Sequence, residues 1–200
     1  MIYLSGAVIP YLRHPKLGFL CTPNQWNRLP SDNVILAADN GCYSNPQTYT
    51  DVRYLKFLQR MPLDRTLFAT APDVLGSHEQ TVDLAIPMLR RIRELGFNAA
   101  FVAQDGWIEE TTPWAEFDTI FIGGTTEFKF RAGRDAVLAA HRHGKKAHMG
   151  RVNGLGRLRA AIGIGCDSAD GNCLKFAPKN NWHRVLNWLD TITAQPELRV

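Results

Sequence analysis

The sequence predicts an α/β fold, a compact (β/α)8 TIM-like barrel in which some βα units are trimmed. Three observations predict it. Short apolar runs recur eight times along 200 residues. Amphipathic helical patterns separate most of them. Small or acidic residues stand just past the run ends, where a parallel α/β enzyme builds its site. An open doubly wound sheet is the rival, but a barrel better explains why polar residues at many strand ends should converge. No internal repeat or linker-like stretch interrupts the chain, so one domain over residues 1–200 is expected.

Ile2–Val8 opens as a strand and Pro10 breaks it; Leu17–Cys21 is the second, ended by Pro23. The segment between them has no helical period, so the first βα unit reads as degenerate. Val34–Ala38 is the third strand and delivers Asp39-Asn40-Gly41-Cys42-Tyr43. A helix over 51–60 follows, with Val52, Leu55 and Leu58 on one face. Leu67–Ala71 is the fourth strand and delivers Pro72-Asp73. Ser77 caps the next helix, whose stripe is Leu84, Met88, Leu89, Ile92 and Leu95, and Gly96 stops it.

Ala99–Ala103 delivers Gln104-Asp105-Gly106, and Thr119–Ile122 delivers Gly123-Gly124. A helix from Phe130 to His143 ends at Gly144. Lys146–Met149 is the seventh strand and delivers Gly150-Arg151; a helix through Leu155, Leu158 and Ala161 follows. Ile162–Cys166 reads as the eighth strand, ending in Gly165-Cys166-Asp167-Ser168-Ala169-Asp170-Gly171-Asn172. Trp182–Thr193 closes the chain as an amphipathic helix carrying Trp182, Val185, Leu186, Trp188 and Leu189.

Composition narrows the function. Lys plus Arg exceed Asp plus Glu, for a net charge of +4, which suits a phosphate-bearing partner. No apolar run is long enough to span a membrane, and Met1-Ile2-Tyr3-Leu4 lacks a charged leader, so a cytoplasmic protein is expected. Cys21, Cys42, Cys166 and Cys173 form no Cys-x-x-Cys pair and no finger-like spacing with His. Reduced thiols and no metal are therefore expected, with Cys21 and Cys166 buried.

Asp39, Asp73, Asp167 and Asp170 are four carboxylates at or just past the expected strand ends. Any one of them suits a helix N-cap or an Asx-turn. Four on one barrel face, together with Gln104, suit a ligand. Aspartate and glutamine supply the acceptors and donors that read the edge of a purine-like base. A further carboxylate can attack a sugar carbon and stabilise an oxocarbenium-like centre. Gly123 and Gly124 leave backbone amides unshielded for a carbonyl oxygen, or form a plain tight turn.

Lys145, Lys146, His148, Arg151, Arg157 and Arg159 cluster around the seventh strand, where barrels often hold a phosphate; a solvated basic face is the plainer alternative. Arg151 is the strongest member, directly after Gly150. Tyr43 and Trp107 follow site loops, where an aromatic face can stack on a base or simply pack in the core.

This series resembles the tRNA-guanine transglycosylase superfamily, and especially its compact relatives, the deazaguanine DNA transglycosylases of phages and bacterial genomic islands. The family's Asp-Ser-Gly-Gly-aromatic motif resembles Asp39-Asn40-Gly41-Cys42-Tyr43, and its second base-reading aspartate resembles Asp73. Its Val-Gln-Gly segment resembles Ala103-Gln104-Asp105-Gly106, and its Ile-Gly-Gly resembles Ile122-Gly123-Gly124. Its late Gly-x-Asp-x-x-Asp resembles Gly165 to Asp170. Cys42 replaces a family glycine, Asp105 interrupts the Gln-Gly pair, and the Cys/His zinc module of the tRNA enzymes has no counterpart.

The resemblance implies base exchange without a cofactor. Asp170 attacks the sugar C1′ of a guanine nucleotide, with Asp167 competing for that role, and Asp39 moves the proton. Asp73, Gln104 and Gly124, with Gly123, hold the base edge. The implied partners are nucleic acid, DNA before tRNA, and a 7-deazaguanine base such as 7-cyano-7-deazaguanine. Lys146, His148, Arg151 and Arg157 would hold flanking phosphates. A phosphosugar-binding barrel with lyase, isomerase or hydrolase chemistry and a catalytically inactive nucleic-acid-binding barrel remain alternatives, and a homodimer or a partner protein stays open.

Overall fold

In the computed structural model, which describes residues 1–6, 13–25, 33–43, 46–176 and 178–194, eight parallel strands close into a barrel. They are β1 Ile2–Ser5, β2 Leu17–Cys21, β3 Ile35–Ala38, β4 Thr66–Thr70, β5 Ala99–Ala103, β6 Thr119–Ile122, β7 Lys146–Met149 and β8 Ser168–Gly171. Each pairs with the next in sequence, and β8 returns to β1 with Leu4 opposite Asp170. Full closure leaves no exposed sheet edge, which excludes the open doubly wound sheet.

The helices are α1 Asp51–Leu58, α2 His78–Glu94, α3 Thr126–Arg131, α4 Gly133–Arg142, α5 Leu155–Gly163 and α6 Pro178–Ala194. Trimming shows after β5, where residues 104–118 run as turns with no helix. Between β1 and β2, and between β2 and β3, the described residues hold only a short 3-10 turn, Pro23–Gln25. Residues 7–8, included in the first expected strand, lie outside the described residues.

Alternation along the strands divides the core in two, as a period of two requires. Tyr3, Phe19, Leu36, Phe101, Ile120, Ala147 and Ala169 face outward, into the layer shared with Met88, Leu89, Ile92, Val137, Leu158 and Leu189 of the helices. Leu4, Leu20, Ala37, Phe68 and Ala100 face inward and pack on one another. Helix α2 buries Ala85, Met88, Leu89 and Ile92 in the outer layer, the three larger side chains each stabilising by about 1.5–3 kcal/mol. Thr50, Ser77 and Thr125 cap α1, α2 and α3 by accepting the N–H of Arg53, Gln80 and Phe128.

Three expectations need correction. The eighth strand is Ser168–Gly171; Ile162–Cys166 is instead the end of α5 and the turn after it. The helix over 130–143 is two helices that meet at Ala132, with Thr125 as the cap of the first. Val52 and Leu84 are exposed; α1 buries Tyr54, Phe57 and Leu58, and α2 buries Thr81 and Ala85 in Leu84's place. Leu58 of α1 and Met88, Leu89 and Ile92 of α2 are buried as expected.

Gly171 ends β8 where the chain passes under Tyr3. A Cβ there would lie 2.2 Å from Tyr3 Oη and 2.4 Å from the Val152 carbonyl oxygen. We expect Gly171→Ala to destabilise the fold by about 2–3 kcal/mol, since one of the clashing groups is backbone. Denaturant midpoints of the two proteins measure it; an unchanged midpoint would contradict the packing described.

Candidate active site at the mouth of the barrel

All eight strands run the same way, so their C-terminal ends share one face, and there a cavity of about 430 Å³ opens. Asp39, Asp73, Gln104, Gly123, Gly124, Arg151, Tyr43 and Asp170 all line it, each on or just after a different strand save for the paired glycines and the Asp39–Tyr43 loop.

Asp170 lies deepest. As an inward residue of β8 it sits beside His148 of β7, whose Nε2 is 3.1 Å from Asp170 Oδ1. His148 Nδ1 is 2.8 Å from Ser168 Oγ. Burial holds the imidazole below its ordinary pKa despite the opposing pull of Asp170, so the ring is neutral at pH 7. A carboxylate can only accept, so Nε2 carries the proton and Nδ1 accepts from Ser168. Phe68 and Phe121 pack against the imidazole, at 4.9 and 4.5 Å between ring centres, and fix its plane. The Arg151 N–H points at Asp170 Oδ2, 3.3 Å away. That orientation comes from a left-handed backbone at Arg151 (φ 61°), a conformation costly for a side chain of this size.

Asp39 ends β3. The Gly41 N–H donates to its Oδ1 at 2.8 Å, a turn that Gly41 permits with φ +76°. Burial pushes the Asp39 carboxyl up to about 6; the Gly41 amide opposes this, and the nearby Asp170 and Asp73 add to it. Asn40 holds the loop in place, donating to Thr70 Oγ1 and the Ala71 carbonyl and accepting from the Cys42 N–H. Cys42 in turn donates its thiol to Asp73 Oδ1 at 3.4 Å, so the residue that departs from the family motif is wired into the site.

Asp73 Oδ2 accepts from Gln104 Nε2, and Gln104 Oε1 accepts from the Gly76 N–H. That second bond fixes which way the amide points. Burial raises the Asp73 carboxyl above its ordinary value, against hydrogen bonds from Cys42 and Gln104 and the charge of Arg151. Asp105 leaves the site altogether: its carboxylate accepts from the Thr125 N–H and hydroxyl and anchors the start of α3.

Of the glycine pair, the Gly123 N–H is bonded to the Ala103 carbonyl and is not free for a ligand. The Gly124 N–H makes no hydrogen bond among the described residues. A side chain at either position would collide, with Val102 at Gly123 and with Phe128 and Asp105 at Gly124. The Gly124 carbonyl accepts from the Arg151 guanidinium, which also lies 5.6 Å from the exposed ring of Tyr43. Arg151 therefore spans the mouth from β7 towards the β3 loop.

Four candidates sit elsewhere. Asp167 precedes β8 and is at the opposite end of the barrel, taken by Lys146 Nζ (3.0 Å), the Ala147 N–H (2.9 Å) and His141 (3.2 Å). Burial pushes its carboxyl up, but these partners outweigh burial and leave it below the ordinary range. Lys146, as the first residue of β7, shares that end. His148 is fully buried and touches Asp170 rather than any phosphate. Trp107 packs against the outer core layer and does not line the cavity. Arg157 does lie on the mouth side, against the Arg151 carbonyl at 3.4 Å.

Lys129 was absent from the expectations. It lies on α3, its Nζ donates to the Gly150 carbonyl, and it lines the cavity. Burial lowers its pKa to about 8, aided by Arg151 and Arg157 and opposed by Asp170. The available signal was a lysine one turn past the Thr125 cap, in the helix that follows the Gly-Gly loop.

Among the described residues no three His, Cys, Asp or Glu side chains converge to hold a metal, and no helix is long and apolar enough to cross a membrane. The four cysteines are free, with Cys21, Cys166 and Cys173 buried. No protein-family model and no curated protein matches the chain. Among solved structures, it is similar to the Bacillus subtilis YkuI protein, with an EAL domain, in complex with substrate c-di-GMP and calcium. That match has 14% identity and a TM-score of 0.43, over 86% of this chain and 48% of the other, so this chain spans about half of that protein's length.

Proposed function

We propose that the barrel is a base-exchange glycosyltransferase resembling the transglycosylases named above, which replaces guanine in nucleic acid, DNA before tRNA, with a 7-deazaguanine such as 7-cyano-7-deazaguanine. The observation that carries this is the division of labour among three carboxylates around one cavity. Asp170 is buried and clamped by His148 and the Arg151 N–H, burial pushes the Asp39 carboxyl up to about 6, and Asp73 is paired with Gln104.

In this reading, Asp73 accepts from the ring N–H and amino group of guanine, while the Gly124 N–H and Gln104 face its carbonyl oxygen. Asp170 Oδ forms a bond to C1′ as the C1′–N9 bond breaks, and the electron pair leaves with the base, which takes a proton from Asp39. The incoming 7-deazaguanine returns a proton to Asp39 and attacks C1′, releasing the Asp170 carboxylate. A base in a duplex is stacked away from such a cavity, so the target is single-stranded or flipped out.

A second reading is a phosphosugar-binding barrel with lyase, isomerase or hydrolase chemistry. The cations Lys129, Arg151 and Arg157 beside the cavity favour it. Calorimetry with guanine, 7-cyano-7-deazaguanine and ribose 5-phosphate, run beside incorporation of labelled base into DNA and tRNA, separates the two. We expect the bases to bind, label to enter nucleic acid, and Asp73→Ala to weaken base binding about 100-fold, the loss of hydrogen bonds to a charged acceptor. Binding of ribose 5-phosphate alone, with no incorporation, would overturn base exchange.

A further inference from the structure

Beside the base cavity lies a second one of about 190 Å³, between α3, the start of α4, the loop after β7 and α5. The two share Lys129, Gly150 and Arg151 as a common wall. Arg134 and Arg157 complete the second cavity, and no carboxylate lines it.

Several arginines elsewhere on the molecule are paired with acids. Arg90, Arg93 and Arg142 each pair with an acid, Glu116, Asp118 and Glu109 respectively. The side chains of Lys129, Arg151 and Arg157 donate to the backbone carbonyls of Gly150, Gly124 and Arg151, which carry no net charge. Arg134 makes no ion pair or hydrogen bond among the described residues, and the nearby Glu127 is taken by Arg131. Lys129 faces Asp170 and Arg151 faces Asp73 across the shared wall, but no carboxylate lines the second cavity beside Arg134 and Arg157, and an anion seated there relieves the repulsion among the cations.

Phe130 stands at the rim with 65% of its surface exposed, and Tyr43 stands across the first cavity with 58% exposed. Exposed aromatic faces on either side of a cationic groove are what a polynucleotide strand stacks against. Gly150 and Arg151, which adjoin Asp170, also form the wall shared with the second cavity.

We propose that the second cavity, with Arg134 and Arg157 as its cations, holds the phosphodiester adjoining the target nucleotide. The identity of the group in the first cavity rests on the base-exchange reading; the anion site does not.

The experiment measures fluorescence anisotropy of labelled single strands of about twelve nucleotides, DNA and RNA in separate arms, across a salt series. Guanine binding is followed by calorimetry on the same proteins. We expect Arg134→Ala with Arg157→Ala to weaken strand binding at least about tenfold and to reduce the slope of log K against log salt by about 1–2, with guanine affinity unchanged. A remote pair, Arg90→Ala with Arg91→Ala, removes the same charge and should leave strand binding within about twofold. A stronger DNA or RNA arm identifies the strand the site is shaped for.

Unchanged affinity and slope, an equal loss in the remote pair, or no strand binding by the unmodified protein would each overturn the proposal. Strand binding that depends on Arg134 and Arg157, in a protein that binds no guanine, would keep the anion site and remove the base-exchange reading.

Discussion

If the barrel exchanges bases as proposed, replacing Asp170 with asparagine should abolish that reaction, by on the order of 10⁴-fold or more, while base binding survives. The amide is the same size as the carboxylate but a poor nucleophile, and no other carboxylate is placed to stand in for it. Asp167, the competing candidate, is bonded to Lys146 at the far end of the barrel. The substitution also perturbs the hydrogen bonding. Asp170 accepts from both His148 and the Arg151 N–H, and an asparagine amide group facing either one puts donor against donor. That mismatch costs about 1–3 kcal/mol of stability, which circular dichroism can monitor separately from activity. A labelled oligonucleotide that survives denaturation attached to the unmodified protein, and not to the variant, would identify the covalent step. A variant that retains more than about a tenth of the exchange rate would eliminate Asp170 as the nucleophile.

The second large effect concerns Asp39 and pH. With its carboxyl pushed up to about 6, Asp39 is protonated in acid and mostly ionised at pH 7. If it donates to the departing base, the rate of base release falls about tenfold per pH unit above that value. Asp39→Asn should remove this limb of the profile and slow base release by about 10²–10³-fold. Stability should move the other way. The folded protein binds a proton at Asp39 between the ordinary carboxylate range and about pH 6, where the unfolded chain does not. The fold therefore loses stability as pH rises through that window and stays penalised above it. Asp39→Asn, which keeps an acceptor for the Gly41 N–H, should raise stability at pH 7 by about 2 kcal/mol and flatten its pH dependence between about 4 and 6. Parallel pH–rate and pH–melting curves test both, and a variant less stable than the parent at pH 7 would contradict the burial argument.

The fold was legible because closing a barrel demands apolar strands at a regular spacing, and seven of the eight announced themselves that way. The eighth did not, for a physical reason. Ser168 and Asp170 face the barrel interior, where His148 supplies polar company, so β8 reads Ser-Ala-Asp-Gly and looks like a loop. The apolar run before it belongs to α5. Shifting that strand by a few residues put Asp167 and Asp170 on one face, although Asp167 precedes the start of β8 and Asp170 lies near its end. Asp39, Asp73 and Gln104 were legible because each follows an unambiguous apolar run. Lys129 was not, since a lysine in an amphipathic helix looks like any solvated position until the helix is placed over the mouth. His148 was read as a phosphate contact from its basic neighbours; strand alternation turns it inward, while Lys146 lies at the strand's start.

The barrel is closed by β8 lying against β1, with Leu4 beside Asp170. During synthesis the residues that would recognise a base, Asp39, Asp73 and Gln104, leave the ribosome long before the strand that would attack its sugar. A nascent chain that has not yet presented β8 therefore lacks Asp170, the proposed nucleophile. Long-range parallel pairing of this kind forms late in folding. On the proposed reading, the barrel becomes competent for chemistry only when the seam between β8 and β1 closes.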